Sequence, residues 1–397
     1  FFADRKTRFA AASPSSVSLP MSSTLQQTTA GKVRQFMGAA SKQEAKQGIK
    51  VGSDIDRYNN QHDLHGGDAE ARKEGYADLV NTYYNLATDF YEIGWGQSFH
   101  FANKFAGETF NESITRHEYY LAARLGIQPS DSVLDCGCGI GGPLRNLGRF
   151  TGASITGVTL NQYQVDRGNG LCAKAGLAPR CKLVKADFHK LPFPDNSFDH
   201  VYSIEACCHS PDRADVYREI YRVLKPGGCF VSYEWCLTKK HRDGDAQHML
   251  SKKLIEEGDG LPDMMSTTHC DDSLVKVGFQ VVETRDAALD PNPGGEAWYV
   301  ILTPSFFNLF RLQFTAIGTF FINVFMTCLE ALRLAPAGSG KARPSPPRRH
   351  APRLAGTLLT PPGPQVREML RQGQLGLVMG GEMGTFTPMY YIHAKKA

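Results

Sequence analysis

The sequence predicts an α/β fold built on a doubly wound parallel sheet, and three observations point to it. Short apolar runs rich in β-branched residues alternate with segments of helical spacing between residues 131 and 237. The first run ends in a glycine-rich turn that leads directly into a helix. The last run follows Lys-Pro-Gly-Gly at positions 225–228, which stops the preceding helix. Such alternation makes the strands parallel and places a ligand at their carboxyl ends.

The glycine-rich turn lies in Asp131–Pro143, which reads Asp-Ser-Val-Leu-Asp-Cys-Gly-Cys-Gly-Ile-Gly-Gly-Pro. A strand ends in Asp135, and glycines follow at positions 137, 139, 141 and 142. Glycine lets the backbone pass close beneath a ligand, and the N-terminus of the next helix presents free N–H groups to it. The turn does not contain the Lys-Ser/Thr pair of a phosphate-binding loop.

This turn resembles the first motif of the S-adenosylmethionine (SAM) methyltransferases with a doubly wound, Rossmann-like sheet, and it fits a nicotinamide site less well. SAM carries an amine, a carboxylate and a sulfonium but no phosphate. The resemblance therefore assigns Asp135 to the amine of the cofactor. The backbone that would pass under the methionine portion is that of Gly137, Cys138, Gly139 and Gly141.

Further strands are predicted along the sequence. They lie at Ser154–Leu160, Cys181–Asp187, Phe198–Ile204, Cys229–Trp235, Gln280–Thr284 and Phe386–His393. We expect Ser210 to cap the helix before the fifth strand, with Pro211 in its first position. A helix over His248–Glu257 is predicted to lead into an acidic loop, Gly258–Asp263.

The loops after the second, third and fourth strands carry the other cofactor candidates. The second strand usually ends in an acid that binds the ribose, but here Asn161 and Gln162 offer only neutral polar groups. Asp187 and Phe188 are expected to meet the adenine through an acid–amine hydrogen bond and an aromatic contact. Glu205, after the fourth strand, is a further cofactor candidate. A helix cap stays open as the alternative for Asp187, and a loop salt bridge for Glu205.

Aromatic residues crowd the stretch from Tyr76 to Phe105, and Glu92 and His100 lie among them. A helix that packs these rings into a core would account for the pattern. However, Gly94-Trp95-Gly96 would end a helix, and aromatic side chains on a loop are well placed to line a pocket. We therefore expect a binding pocket here, with a packed aromatic core as the alternative.

Bulk composition limits the classes of function. The 397 residues are 42% hydrophobic and 21% charged, as in ordinary globular proteins. The formal net charge of +4 is too small to indicate a nucleic-acid partner. The ten cysteines are scattered without zinc-ligand spacing, which indicates reduced thiols in a cytosol-facing protein and no metal site.

Three segments are expected to lie outside the sheet. Residues 1–20, rich in Ser and Ala, are interpreted as leader sequence without a fold. Leu312–Leu329 carries no charge, but its polar interruptions favour a buried or interfacial helix over a membrane span. Lys341–Gln365 is rich in Pro, Arg and Ala without periodicity, which indicates a disordered insert and fits a retained intron.

Several motifs together resemble the sterol C-24 methyltransferases. The most specific is the aromatic block Tyr91–Phe101, which reads Tyr-Glu-Ile-Gly-Trp-Gly-Gln-Ser-Phe-His-Phe. The other motifs are Leu134–Pro143, Glu205–Asp212, Tyr233–Trp235, Glu257–Asp263 and Phe386–Tyr390. Together they span about residues 76 to 395, and the Lys341–Gln365 insert departs from the family pattern.

The resemblance implies SAM-dependent methylation of a sterol, of the cycloartenol or zymosterol type, at the C-24 double bond of its side chain. An alkene is a weak nucleophile, so positioning and desolvation must contribute much of the rate. Its methylation leaves a carbocation, and aromatic faces stabilise a cation without attacking it. Tyr91, Trp95 and Phe99 are the candidate aromatic residues, beside the carboxylate of Glu92.

The same reaction needs a base that removes a proton from the cation. His100, Glu92 and Glu234 are the candidates, and the choice among them stays open. Asp259 or His209 is expected to meet the sterol hydroxyl.

The resemblance also implies a location and partners. These are a sterol substrate and the cytosolic face of the endoplasmic reticulum membrane, bound peripherally, with no nucleic acid; a homo-oligomer is left open. Two alternatives remain: a methyltransferase of another lipid-like acceptor, such as a tocopherol-type phenol or a phospholipid head group, and a non-catalytic lipid-binding protein.

The sequence is divided into six regions. They are a leader and polar segment (1–75), an aromatic-rich helical acceptor segment (76–130), a SAM-binding core (131–237), an acceptor and membrane-facing region (238–340), the insert (341–365) and a C-terminal strand region (366–397).

Overall fold

The computed structural model describes residue 58 and residues 69–306, 311–315, 317–318 and 365–397. The strands in these ranges are β1 (Ser132–Cys136), β2 (Ser154–Thr159), β3 (Cys181–Lys185), β4 (Phe198–Ile204), β5 (Leu224–Leu237), β6 (Gln280–Asp286) and β7 (Phe386–Lys395). The helices are α1 (Ala69–Glu74), α2 (Tyr76–Gly94), α3 (Phe110–Leu125), α4 (Gly142–Thr151), α5 (Gln162–Lys174), α6 (Arg213–Val223), α7 (Ala246–Asp259), α8 (Thr267–Val277) and α9 (Gln365–Met383).

One sheet joins all of these strands in the order β3-β2-β1-β4-β5-β7-β6. Strands β1 to β5 pair in parallel, and β7 runs antiparallel between β5 and β6. The backbone leaves β1 towards β2 and β3 and then returns to place β4 on the other side of β1. This reversal opens a crevice at the carboxyl ends of β1 and β4, where doubly wound sheets bind their ligands. The predicted fold class is therefore confirmed.

Helix α2 lies against the loops at this end of the sheet. Its C-terminus is at Gly94, so the predicted helix break at positions 94–96 is confirmed. Near its N-terminus the Tyr76 hydroxyl donates to Asp187, after β3. Near its C-terminus Glu92 pairs with Arg167 of α5. These contacts hold the aromatic-rich segment against the crevice.

Three local expectations differ from the structure. Ser210 does not cap a helix, because α6 begins at Arg213 and is capped by Asp212, whose Oδ1 accepts from the Ala214 N–H at 2.9 Å. The acidic loop begins two residues later than predicted, since Gly258 and Asp259 are the last residues of α7. The C-terminal region predicted as strand begins with the helix α9 before β7 follows.

Other expectations fall on parts of the sequence that the structure does not describe. These are residues 1–20, most of Leu312–Leu329 and positions 341–364 of the predicted insert. Position 365, its last residue, starts α9. Within the described ranges, every helix is too short or too polar to span a bilayer.

Candidate functional site

A cavity lies between helix α2 and the carboxyl ends of β1, β2 and β4. It joins the glycine turn to the aromatic block, which the sequence had assigned to cofactor and acceptor respectively. The predicted site residues on its wall are Phe99, His100, Asp135, Gly137, Cys138, Gly139, Asn161, Phe188 and Glu205. The predicted site residues that do not line it are Tyr91, Glu92, Trp95, Gly141, Gln162, Asp187 and Glu234.

Asp135 lies near the end of β1 and is 2% exposed. Its Oδ2 accepts a hydrogen bond from the Tyr202 hydroxyl at 2.9 Å. Burial raises the pKa of Asp135 to about 7, although the hydrogen bond from Tyr202 opposes this. Such a carboxyl gains from a cationic partner, because a nearby positive charge offsets the cost of burying its negative form. The ammonium of an amino-acid ligand fits this requirement.

The glycine turn leaves room that a side chain would fill. Gly137 has a φ of 89°, and a Cβ there would lie 2.2 Å from the Cβ of Ala206. Gly139 has a φ of 51°, and a Cβ there would meet the Phe99 ring at 3.4 Å. Gly141, off the wall, is the left-handed N-cap of α4. The turn therefore forms a cradle that keeps space for a ligand beside the positive end of a helix.

The predicted ribose candidates Asn161 and Gln162 separate in the structure. Asn161 lies on the wall and caps α5, and its Nδ2 donates to Asn85 Oδ1 of α2 at 2.7 Å. Gln162 does not line the cavity: it is exposed, and its side chain donates to Asp166 at 2.9 Å, so its contact with the ribose stays a prediction. Gln164 takes its place, since α5 turns this side chain inward, where its Oε1 accepts from Thr159 at 2.6 Å.

The two adenine candidates also differ in position. Phe188 lines the cavity and is 8% exposed. Asp187 does not, because its carboxylate accepts from the Tyr76 hydroxyl and from both the backbone N–H and the ring of His189, at 2.8 and 2.9 Å. Burial opposes ionisation, but these hydrogen bonds lower the pKa of Asp187 to about 2. A contact of Asp187 with adenine stays a prediction.

His100 lines the cavity and donates at both ring nitrogens. Nδ1 lies 2.9 Å from the carbonyl oxygen of Phe101, and Nε2 lies 3.1 Å from Oε1 of Glu118. Both partners can accept, an arrangement that suits an imidazolium. Burial works against this charge, but the hydrogen bond and the negative charge of Glu118 outweigh it and raise the pKa of His100. A role of His100 as the base stays a prediction, and both of its ring nitrogens have partners in this structure.

Glu205 lies on the wall with a left-handed backbone, at a φ of 54°. Such a conformation is rare for residues other than glycine and is found at functional positions. Its Oε1 accepts from the Phe101 N–H at 2.7 Å, and its Oε2 accepts from Trp235 Nε1 at 2.7 Å. Burial raises the pKa of Glu205 to about 8, although the positive charge of His100 opposes this. The salt bridge considered for Glu205 is not formed in the described structure.

The predicted aromatic residues form a connected group, of which only Phe99 lines the cavity. The ring of Tyr91 packs against Phe99 with centroids 5.4 Å apart, and its hydroxyl contacts that of Tyr83 at 2.6 Å. Trp95 packs against Phe101, and its Nε1 donates to the His100 carbonyl at 3.0 Å. Tyr91 and Trp95 thus support the wall from behind, so both the pocket and the packed-core interpretations describe part of this block.

Two predicted carboxylates are away from the cavity. Glu92 is bound through both oxygens by the guanidinium of Arg167, at 2.5 and 2.8 Å. Glu234 is fully buried in β5, where it accepts from Ser232 at 2.6 Å and faces Arg213 at 3.7 Å. Neither lines this cavity, and their candidacy as the base stays a prediction.

Only one of the two candidates for a sterol hydroxyl lines the cavity. His209 lines the cavity, donates from Nδ1 to the Gly260 carbonyl at 3.3 Å and accepts from the Tyr84 hydroxyl at 2.9 Å. Burial lowers the pKa of His209 to about 4, so it is neutral. Asp259 is buried outside the wall, where its Oδ1 accepts from Tyr91 at 3.3 Å. A contact with the acceptor stays a prediction for His209.

Sequence reasoning missed Glu118, Gln164 and the α2 residues Val80 and Asn81, whereas Tyr84 lies in the aromatic-rich stretch that was expected to form a pocket. Glu118 lies in a helix whose polar residues resemble a solvated face. The α2 residues could have been found from the crowding of tyrosines before the Tyr91–Phe101 motif.

Comparisons with known proteins identify the family. The sequence matches a family model described as a methyltransferase domain over residues 134–232, and one described as a sterol methyltransferase C-terminal region over residues 357–397. The second match overlaps the end of the predicted insert.

Relatives of known activity match most of the sequence. It is 47% identical over 343 residues to a cycloartenol-C-24-methyltransferase of Arabidopsis thaliana, which covers 86% of this protein and 94% of that one. It is 40% identical over 339 residues to a sterol 24-C-methyltransferase of Saccharomyces cerevisiae, covering 83% of this protein and 81% of that one.

Solved structures share the fold. A geranyl diphosphate C-methyltransferase from Streptomyces coelicolor superimposes with a TM-score of 0.54 at 14% identity, covering 81% of this protein and 98% of that one. A putative sarcosine dimethylglycine methyltransferase from Galdieria sulphuraria gives a TM-score of 0.53 at 21% identity, covering 78% of this protein and 98% of that one. The fold is that of class I SAM methyltransferases.

Proposed function

The protein belongs to the sterol 24-C-methyltransferases, and we infer from this that it uses SAM to methylate C-24 of a sterol side chain in sterol biosynthesis. The observation in the structure that supports this function is the shared cavity. Phe99 and His100 of the aromatic block line the same wall as Asp135 and the glycine turn. A methyl donor on the turn and an acceptor beside the aromatic block would therefore meet in one enclosed space.

The residues of the turn fit SAM. Asp135 would hold its amine, because a buried carboxyl with a raised pKa gains from a cation. The cradle at Gly137 and Gly139 would take the methionine portion, and Phe188 would contact the adenine. When bound, the cofactor supplies an electrophilic methyl group on a sulfonium.

The acceptor side of the cavity is suited to an alkene that becomes a cation. Phe99 presents an aromatic surface on the wall, with the ring of Tyr91 behind it. A ring face stabilises a cation by about 0.5–2 kcal/mol without attacking it. Apolar walls also exclude water, which would otherwise capture the carbocation.

Glu205 is the residue that we propose as the base. Of the carboxyl groups on the described wall, Asp135 is reserved for the amine, which leaves Glu205. Its pKa, raised by burial to about 8, makes it a stronger proton acceptor than an ordinary glutamate. Loss of a proton from the methylated sterol cation to a Glu205 oxygen would restore a carbon–carbon double bond.

The experiment that tests the function is incubation with methyl-labelled SAM and a panel of acceptors. Cycloartenol and zymosterol should accept label at C-24, as identified by mass spectrometry of the products. A tocopherol-type phenol and a phospholipid serve as controls that should remain unlabelled. Label on a control acceptor with none on any sterol would overturn the assignment.

We also propose that the protein binds peripherally to the cytosolic face of the endoplasmic reticulum membrane, where a lipid acceptor is available. Met249 and Leu250 of α7 and Leu375 of α9 support this, because they are apolar and 40%, 43% and 39% exposed. Exposed apolar side chains of this kind favour a membrane surface. A homo-oligomer stays an open prediction.

A further inference from the structure

A buried carboxylate lies directly behind the cavity wall and has no role in the site so far. Glu118 of α3 is 0% exposed and accepts three hydrogen bonds. Its Oε1 accepts from Ser98 Oγ at 2.7 Å and from His100 Nε2 at 3.1 Å. Its Oε2 accepts from Asn146 Nδ2 at 2.7 Å. A carboxylate desolvated to this degree needs a cationic partner, and His100 is that partner.

The imidazolium of His100 cannot bind a ligand by hydrogen bonding, because both N–H groups are occupied. What remains is its positive charge, held in a low-dielectric wall where charges interact strongly. The peptide backbone links this charge to Glu205: Phe101 accepts from His100 through its carbonyl and donates to Glu205 through its N–H, at 2.9 and 2.7 Å.

The ionisable groups around this imidazolium come from several elements. His117, also on α3, stacks on it with centroids 5.7 Å apart. Burial and the charge of His100 lower the pKa of His117 well below its usual value, so it is neutral. Glu205 faces the charge from the loop after β4, and Asp135 faces it from β1. The positive charge of His100 lowers the pKa of Glu205, whereas the negative charge of Glu234 in β5 raises it.

The two members of the Glu118–His100 pair have different effects on the two wall carboxyls. At Asp135 the negative charge of Glu118 and the positive charge of His100 oppose one another. At Glu205 the His100 charge favours the carboxylate, and Glu118 is not among the groups that act on it most. Removing both charges together should therefore affect Glu205 and leave Asp135 nearly unchanged.

We propose that Glu118 is a positioning residue that holds His100 as an imidazolium, and that this buried cation increases the fraction of Glu205 in its negatively charged, proton-accepting form. The inference rests on the proposed role of Glu205 as the base. It assigns His100 an electrostatic task in place of proton transfer.

The substitution Glu118→Gln separates charge from shape. The amide oxygen can take the place of Oε2 and accept from Asn146, and the NH2 group can take the place of Oε1 and donate to Ser98 Oγ and to Nε2, provided that His100 loses that proton. The variant thus removes both charges while each hydrogen bond keeps a partner. We expect kcat at pH 7 to fall about tenfold, because a rise of about one unit above the Glu205 pKa of about 8 lowers its ionised fraction about tenfold at this pH. Raising the pH to 9 should restore kcat to within about twofold of wild type.

A second measurement on Glu118→Gln uses the other carboxyl. The affinity for S-adenosylhomocysteine, measured by calorimetry, should change less than about threefold, since the two charges oppose one another at Asp135. Ser98→Ala is the matched control, because it removes a donor to the same Glu118 oxygen and leaves both charges. Its pH profile should remain that of wild type. A loss of kcat in Glu118→Gln that high pH does not recover would show a purely structural role and overturn the proposal.

Nitrogen NMR of labelled histidine in the wild-type, ligand-free protein gives a readout that does not depend on the folding of a variant. Both nitrogens of His100 should be protonated at pH 7, and a neutral ring would overturn the proposal.

The variant Glu205→Gln separates this inference from the assignment of Glu205 as the base. Retained turnover in that variant would remove Glu205 as the base. Lost turnover there, with an unshifted pH profile in Glu118→Gln, would overturn this inference alone.

Discussion

Asp135 combines a buried carboxyl, one hydrogen bond from Tyr202 and a pKa raised by burial to about 7. The carboxylate form binds an ammonium group, and the neutral form does not. Affinity for S-adenosylhomocysteine should therefore rise by roughly tenfold per unit as the pH increases up to about 7, and then level off. Calorimetric titrations between pH 5.5 and 8.5 would measure this profile.

Two variants test whether Asp135 is the group that causes this pH dependence. Asp135→Asn should bind weakly at every pH, because the titrating group is gone. Tyr202→Phe removes the hydrogen bond that lowers the pKa of Asp135, so the midpoint of the profile should move to higher pH. An Asp135→Asn protein with wild-type affinity and the same pH dependence would rule out the assignment of Asp135 to the amine.

Tyr91 tests the aromatic block through its ring and its hydroxyl separately. Tyr91→Leu removes the ring that supports Phe99, so turnover should fall roughly three- to thirty-fold, and the ratio of products should change. Tyr91→Phe keeps the ring and loses only contacts with Tyr83 and Asp259, so most activity should remain. Steady-state rates and product analysis by gas chromatography would decide. Equal rates and products in Tyr91→Leu and wild type would reduce the block to a packed core.

At the scale of elements, the pair Glu92–Arg167 joins α2 to α5. Its side chains are 8% and 29% exposed, so a broken pair leaves a largely buried charge. Glu92→Gln and Arg167→Gln should each lower the free energy of unfolding by about 1–3 kcal/mol. The double variant should cost less than the two losses together by about 1 kcal/mol, measured in urea.

These variants also test the predicted role of Glu92 beside the sterol cation. If Glu92 were the countercharge of the sterol cation, Glu92→Gln would keep wild-type stability and lose turnover. The bidentate contact with Arg167 instead makes stability the affected quantity. SAM affinity in the single variants serves as the control and should remain close to wild type.

The strands at the cofactor end were predictable because each is a short β-branched run bounded by turn residues. The predicted strand Phe198–Ile204 has the bounds of β4. Helix α9 was not predictable, because its many glycines lower helix propensity. Packing reverses that preference: a Cβ on Gly373 would lie 2.7 Å from Asp259, so only glycine lets α9 approach α7 so closely.

The site residues also differ in whether local sequence or tertiary packing determines their positions. Asp135 and the glycines follow from local sequence, since a strand end and a turn are local features. Glu118 and Gln164 depend on which way a helix faces after it has packed. The pairings of Glu92 and Glu234 were not predictable, because their partners, Arg167 and Arg213, are distant in sequence and carry no local signal.

At the scale of the whole molecule, the segment between α8 and α9 offers a test of the predicted insert. The family match begins at residue 357, so the deletion should remove only residues 341–356. If this part is an insert, sterol methylation and the melting temperature should be unchanged or improved. Calorimetry and the acceptor assay would measure both. A deletion that unfolds the protein would show that residues 341–356 are structural.

Membrane association is the last prediction that concerns the whole molecule. The acceptor is a lipid, and Met249 and Leu250 expose apolar surface on α7. The protein should therefore pellet with microsomes and be released by alkaline carbonate, as expected for a surface contact without a span. Replacing both residues with Glu should move much of the protein to the supernatant, because burying a charge in the interface opposes binding.

The matched control for that variant is Val275→Glu, which adds a charge at another exposed apolar position, 67% exposed on α8. It should pellet like wild type if α7 forms the membrane-facing surface. The soluble Met249→Glu, Leu250→Glu protein should keep its turnover on sterol dispersed in detergent, because the cavity is unchanged, and should lose turnover on sterol in vesicles. Wild-type protein that resists carbonate would indicate a span, and equal pelleting of all variants would place the membrane contact elsewhere on the molecule.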